Sequence, residues 1–172
     1  MKEELISADF AAYFKNYISM VEEEDVVTAL KKATKKFKKL CKLLDEENSS
    51  YKYAEDKWTI KEMLLHIIDT ERIFNYRALC FARNEQATLP GFNHDEYVTY
   101  SNANNRSFKS IRKEYLAVRK ATILLFKSFD ETMLEKVGVM NGNKLSVVGI
   151  GFVIAGHQQH HINVLHEKYL CQ

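Results

Sequence analysis

Trp58-Thr59-Ile60-Lys61-Glu62-Met63-Leu64-Leu65-His66-Ile67-Ile68-Asp69 reads as the opening of a long, deeply buried helix. Thr59 and Glu62 have capping-box spacing: the threonine hydroxyl can accept from the Glu62 amide while the glutamate reaches back to the Thr59 amide. Residues 63–68 are apolar almost all round, so most of the helix circumference must be covered by protein. A histidine at the centre of such a run needs a partner, because burying an unpaired imidazole costs a few kcal/mol. The pattern carries the helix from Thr59 to about Asn84.

Working outward, the segment before it, residues 46–57, is polar. Upstream of that, Val26, Leu30, Ala33, Phe37, Leu40, Cys41 and Leu44 form one stripe of an amphipathic helix, with acids at its start and lysines toward its end. Phe10, Phe14, Tyr17, Ile18 and Val21 recur at helical spacing and predict a short N-terminal helix capped by Ser7. Downstream, residues 85–104 hold the single proline, Pro90, beside Gly91, and form a connection longer than most. A helix is predicted over 105–128, with Ile111, Tyr115, Val118, Thr122, Leu125 and Phe129 facing inward. Asn141-Gly142 within residues 137–144 signals a hairpin-like excursion, after which Ser146 caps a last helix running to about Leu170.

The outcome is an all-α fold: a four-helix bundle with a short extra N-terminal helix and a long loop near 85–104, its helices joined antiparallel except where that loop permits a crossover. One proline and six glycines in 172 residues are too few turn residues for a hairpin-rich fold. The length matches a single domain spanning 1–172 with its core in about 25–170, and 46% hydrophobic residues supply that core. A net charge of +2 argues for neither a nucleic-acid nor a membrane partner. Lys31, Lys32, Lys35, Lys36, Lys38, Lys39 and Lys42 wrap several helix faces with only Phe37 as an aromatic neighbour, which reads as a solvated surface. Cys41, Cys80 and Cys171 are odd in number and form no CxxC pair, and the first ten residues lack a signal-peptide pattern, so a cytoplasmic location is expected.

The chemistry lies in histidines. His157, His160 and His161 form H-x-x-H-H in the last helix, and His157 and His161, four apart, stand on one face as a chelating pair. Two readings are open for that pair: metal ligands, or core histidines satisfied by Gln158, Gln159 or backbone carbonyls. His66 on another helix can converge with them, as ligands do in bundle metal sites; alone, it would be satisfied by a hydrogen bond to a facing Tyr or Thr. Asp69 is placed either to orient His66 from behind or as an ordinary solvated acid. His94, in the long loop, and His166, near the chain's helical end, are read as facing water. No Walker loop, dinucleotide fingerprint, nucleophile elbow or HExxH is present.

Trp58, His66 and Asp69 in the first motif, with Gly156, His157, His160 and His161 in Gly156-His157-Gln158-Gln159-His160-His161, resemble the DinB/YfiT-like superfamily of metal-binding helical bundles over about residues 25–170. The resemblance implies nickel or zinc on His66, His157 and His161, with Asp69, Gln158 and His160 beside the ligands or the substrate. It also implies a homodimer, a small-molecule substrate, and Asp95 and Tyr97 in a loop over the site. Two enzymatic activities are implied: a metal-dependent hydrolase, or a transferase that acts with a low-molecular-weight thiol bound in part by cations such as Arg72, Arg77 or Arg83. Gln158 stands where many relatives carry Glu, which tilts the expectation toward transfer, since that needs no carboxylate base. The non-enzymatic alternative is a metal-stabilised stress-response or ligand-binding module.

Overall fold

The computed structural model describes residues 4–5 and 10–170. Helix α1 spans Ala12–Ser19 and begins at Ala11 with no side-chain cap; the predicted cap, Ser7, lies outside the described residues. Helix α2, Val26–Leu40, starts where the Asp25 carboxylate accepts from the Thr28 amide at 2.7 Å and buries Val26, Ala29, Leu30, Ala33, Phe37 and Leu40. It ends earlier than the stripe suggested, although Leu44 is still buried beyond it.

Helix α3, Ile60–Ala82, opens on the expected capping box, with the Thr59 amide donating to Glu62 at 2.7 Å and the Glu62 amide to Thr59 at 3.2 Å. The long connection is more structured than the sequence suggested. It carries helix α4, His94–Thr99, capped by Asn93, and a 3-10 turn at Ala103–Asn105. Leu89 also exchanges backbone hydrogen bonds with Val139 and Asn141, which fastens the connection to the hairpin.

Helix α5, Phe108–Lys127, starts at Ser107. Its innermost ridge is Ile111, Tyr115, Arg119, Thr122 and Phe126, while Val118 and Leu125 are only half-buried. The arginine displaces the expected apolar position because it has a buried partner. A short helix α6, Glu131–Glu135, leads into β1, Val137–Met140, and β2, Asn143–Ser146, which pair antiparallel. Asn141 and Gly142 both have positive φ, 49° and 73°, as a two-residue hairpin turn of this kind requires. Helix α7, Val147–Val164, is capped by Ser146 and passes into a π-helical turn at Leu165–Tyr169.

Helix α7 is buried on nearly every side from Val147 to Gln158. It therefore occupies the middle of the packing and touches α1, α2 and α3, while α5 closes the bundle against α2 and α3. The bundle is the expected one, and within it the successive helices α2 and α3 are bridged by α7 and by α5, each of which packs on both. A helix apolar all round cannot sit at an edge, and that places it between them.

The apolar core falls into two clusters, one around Phe14, Leu30, Phe81 and Phe152 and the other around Phe37, Leu64, Ile111 and Leu165. Polar side chains lie between them. Arg119, fully buried, donates to both Glu71 oxygens at 2.8 and 2.9 Å and to the Leu30 carbonyl at 3.2 Å, and Thr122 donates to Glu71 at 2.5 Å. The neighbouring Glu71 carboxylate raises the Arg119 pKa despite the desolvation that opposes it. Among the described residues no helix is long and apolar enough to cross a membrane.

Candidate metal centre

Three histidines from two helices meet at this polar level. His66 projects from α3 and His157 and His161 from successive turns of α7. His66 Nε2 lies 3.1 Å from His157 Nε2, and His161 Nε2 lies 3.0 Å from the same atom. One ring nitrogen from each residue falls within a set whose members are all within 4.8 Å of one another.

This donor set suits a divalent ion. Imidazole–zinc bonds of about 2.0–2.1 Å place tetrahedral ligands about 3.3 Å apart, close to the two short separations here. Metal ligation needs neutral imidazoles, and burial supplies them. It drives the His66 pKa down from 6.5 to about 4 and that of His161 to about 2, and the adjoining histidines reinforce it. The same desolvation lowers His157 well below its ordinary value, with His161 and His66 next in effect. Both short contacts fall on the one Nε2 of His157, which in a neutral ring carries either a single proton or a single lone pair and so cannot serve both neighbours well. A shared cation resolves that conflict. The Nδ1 of His161 is buried without a partner, so ring packing holds this ligand in place.

The ring edges face a cleft of about 400 Å³ lined also by Tyr13, Tyr17, Trp58, Thr70, Phe74 and Phe92. Trp58 stands with its ring centroid 4.9 Å from that of His66, and Tyr17 meets His157 edge-on at 5.5 Å. Tyr17 reaches the site because α1 lies directly on α7. A Cβ on Gly156 would stand 1.9 Å from the Tyr17 carbonyl oxygen, so only glycine permits this approach.

Other expected site residues fall into place differently. His160 is on the cleft wall, its ring 5.7 Å from Tyr17 and 5.0 Å from His161. His94, expected in water, also borders the cleft, 5.9 Å from His66 and 6.2 Å from Trp58, with its side chain 57% exposed. Helix α4 brings it there, an element with no apolar periodicity to announce it. His166 is exposed, as expected.

Asp69 accepts from Arg72 at 3.2 Å, and its half-buried carboxyl has a pKa raised by desolvation. Its described hydrogen bond therefore goes to an arginine one turn on, rather than behind His66. Gln158 is turned away from the histidines. It accepts from the Tyr115 hydroxyl at 2.5 Å and donates to the Ala33 carbonyl at 2.8 Å, 1% exposed. It is a core residue, so its lack of charge says nothing about a base at the metal.

The arginines are also committed elsewhere. Arg72 pairs with Glu114 and Arg83 lies over Phe129, while Arg77 donates to the Pro90 carbonyl and stands behind the cleft wall, over the Phe74 and Phe92 rings. Asp95 and Tyr97 are exposed on α4 and do not line the cleft. Thr70 and Phe74 escaped the sequence reading, although they stand one and two turns beyond His66 on its own face and that spacing was open to view. Tyr13, Tyr17 and Phe92 carried no comparable signal.

The sequence profile of the DinB superfamily matches residues 29–165. The fold is similar to that of YfiT from Bacillus subtilis, described as a probable metal-dependent hydrolase with an unusual four-helix bundle topology. The TM-score is 0.73 at 11% identity, covering 83% of this chain and 82% of that one. No protein in the curated set matches the chain. With its profile match running through both histidine-bearing helices, the chain belongs to the DinB superfamily.

Proposed function

We propose that this protein is a divalent-metal-dependent hydrolase of small, uncharged molecules, with zinc or nickel held by His66, His157 and His161. The observation that carries the proposal is the convergence of three neutral imidazoles, two buried and one half-buried, on the lining of a cleft, with no fourth protein ligand among the described residues. Three protein ligands with a position left over are the pattern of catalytic rather than structural zinc sites. When bound there, such an ion supplies Lewis acidity toward an oxygen or sulfur ligand.

The chain's own residues supply the rest. Tyr13, Tyr17, Phe74 and Phe92 offer apolar walls to a substrate and exclude water around it. His160 and His94, at the border of the cleft, stand where a proton can be taken from or returned to the reacting group. No lysine or arginine lines the cleft among the described residues, which favours an uncharged substrate over the acidic thiol cosubstrate of a transferase. The YfiT description supports the same reaction class.

The test is metal content by plasma mass spectrometry on protein purified without chelating resin, for wild type, His66→Ala and His157→Ala. It is followed by a panel of neutral esters and amides, and then by thiols with electrophiles. Near-stoichiometric zinc or nickel lost in both variants, with hydrolysis abolished by a chelator and restored by the metal, is the expected result. Absence of metal in wild type after incubation with either ion overturns the proposal. Metal without any turnover leaves a metal-stabilised binding module, and turnover only with a thiol makes the protein a transferase.

A further inference from the structure

The face of α3 that presents His66 continues to Thr70 and then Phe74, and all three line the cleft. Thr70 is 4% exposed, and its Oγ1 is buried with no hydrogen-bond partner. Threonine hydroxyls inside helices commonly donate to the carbonyl four residues back. Two others in this protein do so: Thr34 to Leu30 at 2.8 Å and Thr99 to Asp95 at 3.0 Å. For Thr70 the corresponding carbonyl is that of His66, and the bond is not made.

A buried hydroxyl without a partner destabilises a fold, and valine would fill the same volume without that cost. The hydroxyl therefore has a use that the protein alone does not show. Its position, one helical turn from a candidate metal ligand on a cleft wall, points to a bound molecule as the missing partner.

We infer that Thr70 is a substrate-positioning residue whose hydroxyl, turned toward the cleft by rotation about its Cα–Cβ bond, bonds a polar atom of the molecule held there, while a second polar atom of the same group faces the histidine cluster. This rests on the metal-site reading above and narrows it. The ligand class is a carbonyl derivative with two polar atoms on one small group, such as an ester, an amide or a hydroxamate. Its remainder is flat and apolar, suited to Tyr13, Tyr17, Phe74 and Phe92.

The probe is benzohydroxamic acid, which joins a flat ring to such a group. Its binding to zinc-loaded wild type, Thr70→Val and Thr70→Ser is measured by calorimetry, together with zinc content and the melting temperature of each metal-free protein. Thr70→Val is expected to keep its zinc, melt at or above the wild-type temperature and bind the probe about tenfold more weakly, the effect of one lost hydrogen bond. Thr70→Ser is expected to bind within about a factor of two or three of wild type, since it keeps the hydroxyl. Unchanged binding in Thr70→Val overturns the inference, and so does a Thr70→Val protein that melts lower or loses zinc, which marks a structural hydroxyl. Wild type that takes up no zinc overturns the metal-site reading and this inference with it, whereas wild type that binds zinc but not the probe overturns this inference alone.

Discussion

At the residue scale, desolvation decides the protonation of the three clustered histidines, and with it a pH dependence of stability. In the unfolded chain each titrates near 6.5, whereas folded His66 titrates near 4 and His161 near 2. Between those values the unfolded state binds more protons than the folded one, so stability is complete above pH 6.5 and falls as the pH drops through the window. Each histidine so depressed contributes a slope of up to about 1.4 kcal/mol per pH unit. Urea unfolding of the metal-free protein is therefore expected to shift to lower midpoints from pH 6.5 to pH 4, and His66→Ala is expected to flatten part of that slope. A midpoint independent of pH in this range would contradict the buried, neutral state of the cluster.

At the scale of elements, the site depends on how closely α1 can lie on α7. The Tyr17 carbonyl occupies the place that a side chain at position 156 would need. Gly156→Ala must push α1 outward or bend α7, at a cost of about 1–3 kcal/mol by analogy with overpacked cores. Several degrees of lost thermal stability are expected, together with faster amide exchange in residues 12–19, because Phe14 and Ile18 lose their seat against the core. Exchange in α1 that matches wild type would show that the helices yield without separating. The Arg119–Glu71 pair works at the same scale. It joins α5 to α3, and through the Leu30 carbonyl to α2, so removing one partner would leave a buried charge alone.

Across the whole molecule, the two apolar clusters meet at a polar layer of Glu71, Arg119, Thr122, Gln158 and the histidines. An ion held by His66 with His157 and His161 would tie α3 to α7 within that layer, so binding becomes folding stability. Zinc or nickel at about a hundred times its dissociation constant is expected to add about 2.7 kcal/mol. Differential scanning calorimetry should show a rise of several degrees in wild type, removed by a chelator and absent in His66→Ala. An equal rise in that variant would place the ion elsewhere.

The elements were legible because their signals are local. The Thr59–Glu62 box, the Asn141-Gly142 turn, the Ser146 cap and the 3.6-residue stripe of α2 need only near neighbours in the chain to act. The metal cluster was half legible, since four-residue spacing puts His157 and His161 on one face and an apolar run makes His66 conspicuous. What the sequence by itself determined was thus a helical bundle and which histidines need partners. The tertiary structure alone decided which helices touch, that Gln158 turns to Tyr115 and Asp69 to Arg72, that His94 and Tyr17 border the cleft, and that the Thr70 hydroxyl is left without a bond. These depend on contacts between residues tens of positions apart, set by which helices bury the apolar first half of α7. The apolar run at 147–156 demands burial, but no local pattern names the helices that supply it.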